Sequence, residues 1–297
     1  MITASIVTYD HHLLDIEPVL RSLFASPVDT VYVIDHSEHM MDLKQELLAF
    51  AGRVLQGEPE LKQKVQAGFQ LLYFPHDNAG YGSGHNFAIR MAIEAGSTYH
   101  LVVNPDIWFG PEVFPAIVGY MDAHPDVGQV MPRVFYPNGN EQRLVKLLPT
   151  PFDFFGRFFL PARMIYRRNA RFELRHSNYS YIINAPYLSG CFMFFRLSAL
   201  QEVGLFDEHF FMYAEDIDIT RRMHRQYKTL FFPQANVYHK FSRASHRSLR
   251  LLRIHIANLV MYFNKWGWWK DTERDEFNRR CLEEVQDCNS RLIDQAE

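Results

Sequence analysis

Between residues 207 and 223 the sequence reads DEHFFMYAEDIDITRRM, and five carboxylates (Asp207, Glu208, Glu215, Asp216, Asp218) crowd around Phe210, Phe211, Met212 and Tyr213. Like charges repel, and an ionised carboxylate beside aromatic rings loses hydration. Such crowding makes sense where a cation or a moving proton uses it. Spacing separates the acids by role. Asp218 and Arg222 stand four residues apart in a run of helical periodicity, so an ion pair accounts for Asp218. Asp216 falls in the cap or first turn of that helix, where the N-terminus favours a negative charge. Capping explains one acid but not Glu215 and Asp216 together behind an aromatic wall. A carboxylate held there can take a proton from a substrate hydroxyl.

Three other stretches carry candidate chemistry. In LVVNPD, Asp106 follows a buried apolar run, where a carboxylate can point into a ligand crevice. Mg2+ and Mn2+ favour one or two carboxylates completed by phosphate oxygens and water. Asn-Pro-Asp is also strong turn chemistry, so a plain Asx-turn is the competing explanation. DNAGYGSGHN (77–86) places Gly80, Gly82 and Gly84 after the third strand-like run. The glycine spacing departs from a dinucleotide-binding loop. The stretch is expected to be a flexible turn that lets backbone approach a nucleotide, with Asn78 and Asn86 supplying amide contacts. A glycine-rich helix entry is the alternative. His239, in NVYHKFSRAS, is an ordinary side chain unless Asp106, Asp216 and His239 converge at one sheet edge.

The elements that must position these groups alternate. Runs 2–8, 30–34, 69–74 and 99–103 are rich in Val, Ile and aromatics at strand length, and 13–25, 40–50 and 84–95 carry apolar residues at helical spacing. This alternation implies an α/β fold with a mostly parallel sheet covered by helices on both faces. Ligands bind such sheets beyond the carboxyl ends of the strands, which gives the residues just after each strand their interest. From 138 to 187 regularity fails, and six Arg with one acid lie between 157 and 175, so this segment is expected to be an irregular insertion. Runs 187–197 and 227–232 are strands again. Residues 240–270 hold seven Lys or Arg and no acid, and Leu249, Leu252, Ile256, Leu259, Val260 and Phe263 share one helical face there.

Composition sets outer bounds. Of 297 residues 47% are hydrophobic and 22% charged, enough for a sizeable core. A net charge near −3 argues against a dedicated nucleic-acid binder. Cys191, Cys281 and Cys288 form no CxxC pair, which suits a reducing compartment. The N-terminus enters a strand-like run without a basic leader, and the longest apolar run, IANLVMYF, falls short of the ~20 residues a spanning helix needs. The expectation is a soluble chain of cytoplasmic type.

Six blocks in order, SIVTYD, VYVIDHS, DNAGYGSGHNFAIRMA, LVVNPDIWF, YLSGCFMFFRLSALQEVGLFDEHFFMYAEDIDITRRM and VYHKFSRAS, cover nearly 240 residues. Together they resemble the family 2 glycosyltransferases of GT-A fold, most closely the bacterial rhamnosyltransferase-like branch that builds O-antigens and other surface polysaccharides. The resemblance implies a Rossmann-like GT-A catalytic domain over 1–239, with a nucleotide-binding half (1–110) and an acceptor half (111–239), and a C-terminal amphipathic helical extension over 240–297. It implies nucleotide contacts from Thr8, Tyr9, Asp35, Asn78, Gly80, Gly84, Asn86 and Asn104, with Asp35 on the pyrimidine base. Asn104-Pro-Asp106 stands at the DxD position, its first acid replaced by Asn and Asp106 the ligand of Mg2+ or Mn2+. His239 contacts the metal or diphosphate, Ser189 and Gly190 flank the acceptor pocket, Glu215 orients the acceptor and Asp216 is the base.

The reaction implied is an inverting transfer from a nucleotide-sugar donor to a hydroxyl of a saccharide or lipid-linked acceptor. The first donor expected is dTDP-rhamnose, with UDP-hexoses or UDP-galactofuranose next. A nucleotidyltransferase would need a Gly-rich, Lys-containing loop after the first strand, and TYDHHLLD has none. An inactive sugar-nucleotide-binding protein would not need both Asp106 and Asp216. The basic stretch 240–270, with Arg247, Arg250, Lys265 and the Trp residues of KWGWWK, is expected either to lie on an anionic membrane surface or to pack on the domain.

Overall fold

The computed structural model describes the chain except for residues 39, 58, 241–248 and 295–297. Among the described residues the strands are, in chain order, β1 (Ile2–Thr8), β2 (Thr30–Asp35), β3 (Gln70–Pro75), β4 (Tyr99–Val103), β5 (Ile107–Phe109), β6 (Val127–Phe135), β7 (Val145–Lys146), β8 (Ile183–Asn184), β9 (Tyr187–Leu188), β10 (Phe192–Arg196) and β11 (Lys228–His239). The helices are α1 (Leu13–Phe24), α2 (Met40–Gly57), α3 (Pro59–Gln66), α4 (Tyr81–Glu94), α5 (Val113–Ala123), α6 (Pro151–Phe159), α7 (Ala162–Phe172), α8 (Leu197–Val203), α9 (Glu215–His224), α10 (Leu249–Trp266) and α11 (Thr272–Asp294).

The main sheet has the order β3-β2-β1-β4-β10-β6-β11-β5, with β8 also paired to β11. Strands β3, β2, β1 and β4 are parallel, as the alternating pattern predicts, because each is joined to the next through helical segments. Beyond β4 the sheet is mixed: β10 runs antiparallel to β4 and β6, and β5 antiparallel to β11. That switch decides where the candidate residues meet. Phe192, at the start of β10, pairs with Val103 at the end of β4, so Ser189 and Gly190 enter the edge that Asn104 and Asp106 leave. His239, at the end of β11, pairs with Ile107, one residue past Asp106. Residues remote in sequence are thus delivered to one edge by register alone.

Two expectations are corrected here. Gly82 and Gly84 do not form a flexible turn, because α4 already begins at Tyr81 with Gly80 as its cap. A Cβ on Gly84 would lie 2.8 Å from Val7 and His36, so glycine there lets the helix press on β1 and β2. Gly80 has φ 108°, and a Cβ there would collide with the Phe211 carbonyl oxygen. Gly80→Ala is therefore expected to cost roughly 1–3 kcal/mol in a denaturant-unfolding measurement.

Residues 138–187 are likewise not irregular: they hold α6 and α7, and Asp153 of α6 binds Arg168 of α7 at 2.6 Å. Phe154 and Phe155 pack against His255, Phe263 and Trp268, and Asn278 of α11 clasps both backbone groups of Leu148. These aromatics build a second core shared with α10 and α11. The same packing uses up two of the six residues of the stripe expected on α10. Leu259 and Phe263 are buried in that core, Lys265 binds Asp207 and Asp218, and Trp266 donates its indole N–H to Asp218. Leu249 and Ile256 remain exposed, and Arg247 lies outside the described residues.

Candidate active site

The five crowded acids divide cleanly. Asp207 binds Lys265, Glu208 binds Arg90, and Asp218 binds Arg222 at 2.9 Å as the helical spacing predicts. Glu215 and Asp216 are held differently, by backbone amides. Asp216 Oδ2 accepts from the Gly190 N–H at 3.0 Å and Oδ1 from the Ile217 N–H at 2.8 Å, while Glu215 accepts from the Ala214 N–H at 2.9 Å. The helix starts at Glu215 with Ala214 as its cap, so Asp216 falls in the first turn as expected, and Tyr213 just before the cap has a left-handed φ of 86°. A non-glycine residue there stores strain of about 1–3 kcal/mol beside the two acids.

Both acids are buried, and burial dominates their electrostatics. It raises the pKa of Asp216 first, with the Gly190 amide and Lys146 opposing, and raises that of Glu215 together with repulsion from Asp216. Glu215 has the adjacent carboxylate against it and Asp216 has a cation for it, so Glu215 keeps the proton and Asp216 ionises first. An ionised carboxylate with two amide donors and a raised pKa suits a general base.

Across the sheet edge, Asp106 Oδ1 lies 3.2 Å from His239 Nε2. Gln142 sets that imidazole: its side-chain amide N–H donates to the His239 carbonyl at 2.8 Å, which leaves its oxygen 3.0 Å from His239 Nδ1. Nδ1 therefore carries a hydrogen, and Nε2 faces the carboxylate. Burial lowers the His239 pKa, but hydrogen bonding to Asp106 and Cys191 outweighs it and brings the group to about 10. For Asp106, burial raises the pKa, and hydrogen bonding and charge from His239, a backbone hydrogen bond and His11 together bring it below the ordinary value. A carboxylate oxygen and an imidazole nitrogen facing each other form a donor pair that a divalent cation can occupy in place of the shared proton. Among the described residues no set of three or more His, Cys, Asp or Glu gathers around one point, so such an ion would complete its shell with phosphate oxygens and water.

Tyr81 joins the two halves. Its hydroxyl donates to the Gly190 carbonyl at 2.7 Å and lies 3.2 Å from Asn104 Oδ1. Burial, then Glu215, Cys191, Asp216 and Asp106 in turn, raise its pKa well above the ordinary value, which keeps the hydroxyl neutral in the midst of three acids. Asp216, Gly190, Tyr81 and Asn104 are consecutive links of one hydrogen-bonded chain ending two residues from Asp106.

A cavity of about 710 Å³ opens beside this chain, lined among others by Thr8, Tyr9, Asn78, Gly80, Asn104 and Asp106. That volume suits a nucleotide-sized ligand. Glu215, Asp216, Ser189 and Gly190 do not line it and stand beyond Tyr81. Three residues expected to contact the nucleotide lie outside this lining and are held by the protein itself. Asp35 is buried with no exposure, and its carboxylate accepts from Thr8, Tyr73 and Ser37, so its oxygens are spent inside the sheet. Asn86 clamps α4 to the Phe206 backbone and Glu208. Gly84 is a packing glycine. Sequence reading missed His36, which takes the cavity position next to Asp35, and Leu251 and Ile254 of α10, which close the cavity's far wall.

Residues 62–253 match the profile of the family described as glycosyltransferase like family 2. The chain belongs to that family. Over 207 residues this glycosyltransferase is 27% identical to the N-acetylglucosaminyl-diphospho-decaprenol L-rhamnosyltransferase of Mycobacterium tuberculosis, covering 65% of this chain and 67% of that protein. Its fold is similar to that of the mannosyltransferase PcManGT from Pyrobaculum calidifontis, solved with GDP-Man and Mn2+, at a TM-score of 0.54 and 18% identity over 89% of this chain. S. aureus TarS is similar at 0.53 and 15% identity over 95% of this chain. The chain spans 63% of the length of the mannosyltransferase and 42% of TarS. No described helix is long and apolar enough to cross a membrane.

Proposed function

We propose that this family 2 glycosyltransferase carries out an inverting transfer from a nucleotide-diphosphate sugar, dTDP-rhamnose in the first instance, to a hydroxyl of a saccharide or lipid-linked acceptor in surface-polysaccharide synthesis. The observation that carries the reading is the hydrogen-bonded chain from Asp216 through Gly190 and Tyr81 to Asn104, with the Asp106–His239 pair at its far end. A displacement at an anomeric carbon needs a base on the acceptor side and charge neutralisation on the leaving side. Two chemically different carboxylates stand on the two sides of Tyr81.

In this reading residues 1–110 hold the donor, which lies in the cavity with its nucleoside toward Thr8, Tyr9, His36 and Asn78. Residues 111–239 bring the acceptor past Ser189 and Gly190. Asp216, ionised and fixed by two backbone amides, takes the proton of the acceptor hydroxyl as the oxygen attacks. Glu215, protonated, offers the acceptor a hydrogen bond. Asp106 and His239 would hold Mg2+ or Mn2+, which supplies neutralisation of the departing diphosphate. The rhamnosyltransferase relative acts, by its name, on a lipid diphosphate, and that supports the choice of donor and of a lipid-linked acceptor at the inner face of the plasma membrane.

Thermal unfolding with a set of nucleotide-sugars, with and without Mn2+, tests the donor side. A bound donor at a hundred times its Kd stabilises by about 2.7 kcal/mol. The rise is expected to be largest for dTDP-rhamnose with Mn2+ and to disappear in Asp106→Ala. A rise of the same size without the cation, or retained in Asp106→Ala, would remove Asp106 from donor binding. A larger rise with a UDP-sugar would reassign the donor.

A further inference from the structure

Helix α7 carries an arrangement that the transfer reaction does not use. Arg163, Arg167 and Arg171 are spaced at i, i+4 and i+8, and all three are exposed. Met164 and Tyr166 flank this row at 70% and 61% exposure. Ile165 and Phe172 are turned the other way and buried, so the arginine row runs down the middle of the outward face. Among the described residues no carboxylate pairs with any of the three. On α11, by contrast, Arg279 binds Glu276 and Glu283, and Arg280 binds Glu276. Like charges four apart on a helix destabilise it. Arg171 borders a pocket also lined by Asp153, Asp275 and Glu283, so Arg163 and Arg167 are the uncompensated part of the row, and beside exposed Met and Tyr they are a cost to the isolated chain unless an anionic surface faces them.

The face continues beyond α7. Phe152 of α6 is 43% exposed under the Arg168 guanidinium, 4.6 Å from its ring centre. Phe154, on the same short helix, touches His255 of α10. The first turns of α10 add Arg250, Arg253 and Leu249, the last 77% exposed, and Arg250 also borders the donor cavity. Cationic and apolar side chains are thus interleaved from α7 across α6 to the cavity mouth. A bilayer surface rich in anionic lipid is the partner this chemistry fits. Guanidinium groups reach phosphates at the headgroup level, while Met, Tyr, Phe and Leu enter the acyl boundary.

We propose that the arginine row of α7, with Met164, Tyr166 and Phe152, is the surface by which the protein docks on anionic membrane. This moves the expected attachment away from the Trp-rich end of α10, whose Lys265 and Trp266 are spent on Asp207 and Asp218. The inference rests on the functional reading only for its purpose, to bring the cavity mouth to a lipid-linked acceptor. The docking face stands on its own residues.

Flotation of the full chain with phosphatidylglycerol vesicles and with phosphatidylcholine vesicles tests it, alongside the variants R163Q/R167Q/R171Q and M164S/Y166S. Each arginine near an anionic surface contributes about a fivefold gain in binding, so the triple variant is expected to bind on the order of 100-fold more weakly. The wild type is expected to prefer phosphatidylglycerol and to release as salt rises. M164S/Y166S is expected to bind less while keeping its salt dependence. Binding that ignores lipid charge, no binding at all, or a triple variant indistinguishable from the wild type would overturn the proposal. Sugar transfer to a short-chain, water-soluble acceptor, run on the same preparations, keeps the two readings apart. Loss of transfer from the wild type would count against the enzyme assignment, and vesicle binding would still decide the docking face. Equal transfer by the wild type and the triple variant shows that the latter is folded.

Discussion

Asp216→Asn is expected to lower turnover by ~10²–10⁴, the usual contribution of a general base, while donor binding and Mn2+ response persist. Asn is close in size, and its one oxygen can still accept from the Gly190 amide while its NH2 gives up the Ile217 contact, so the side chain keeps its place and the proton acceptor is removed. The pH profile is the more discriminating readout. Burial disfavours the charged form and raises the Asp216 pKa above the ordinary carboxylate range, with Gly190 and Lys146 only partly opposing. A base works when ionised, so activity should be full above that raised pKa. It should fall about tenfold per pH unit below it, at a pH where an exposed Asp would still be active. Initial rates from pH 5 to 8 check this. A flat profile, or undiminished turnover in Asp216→Asn, would assign the proton to another group.

Arg221→Met is expected to destabilise the fold by about 3–5 kcal/mol, read by denaturant unfolding. The guanidinium is 1% exposed, binds both oxygens of Asp271 at 2.7 Å, reaches Glu273 at 2.8 Å and lies 4.1 Å over the Trp266 ring. It rises from the same helix as Glu215 and Asp216 and meets the start of α11, so one side chain ties the candidate base to the C-terminal helices. Removing it strands a buried carboxylate, and most of the cost is that stranded charge. The double variant R221M/D271L should accordingly recover much of the loss, because a well-packed apolar pair replaces a buried ion pair at little net cost. If the single substitution were neutral, the C-terminal helices would be held by their apolar packing and by the Lys265, Trp266 and Asn278 contacts without it.

The parallel half of the fold was readable because three of its four strands, β1, β2 and β4, are largely buried on both faces and its helices are amphipathic, and each signal repeats over enough residues to stand out. The convergence of Asp106, Gly190 and His239 followed from strand ends once the antiparallel entry of β10 was known. Other features depended on partners far away in the chain. Asp35 has the type and position of a ligand contact, but Tyr73 on the next strand and Thr8 on the previous one take its oxygens. Asn86 has an amide that a nucleotide could use, yet its partners lie on the loop at 206–208. Gln142 sits in a segment without periodicity, and only the folded chain shows it holding the His239 ring. Helical spacing in α10 announced an apolar face and could not say what covers it. The second core takes Leu259 and Phe263, and the cavity takes Leu251 and Ile254.

The central claim is a single displacement in which Asp216 deprotonates the acceptor while the diphosphate leaves on the Asp106 side. The anomeric configuration of the product, read by NMR after transfer from a nucleotide-sugar of known configuration, tests it most directly. The account predicts a glycoside inverted relative to the donor; a glycoside of retained configuration would contradict it.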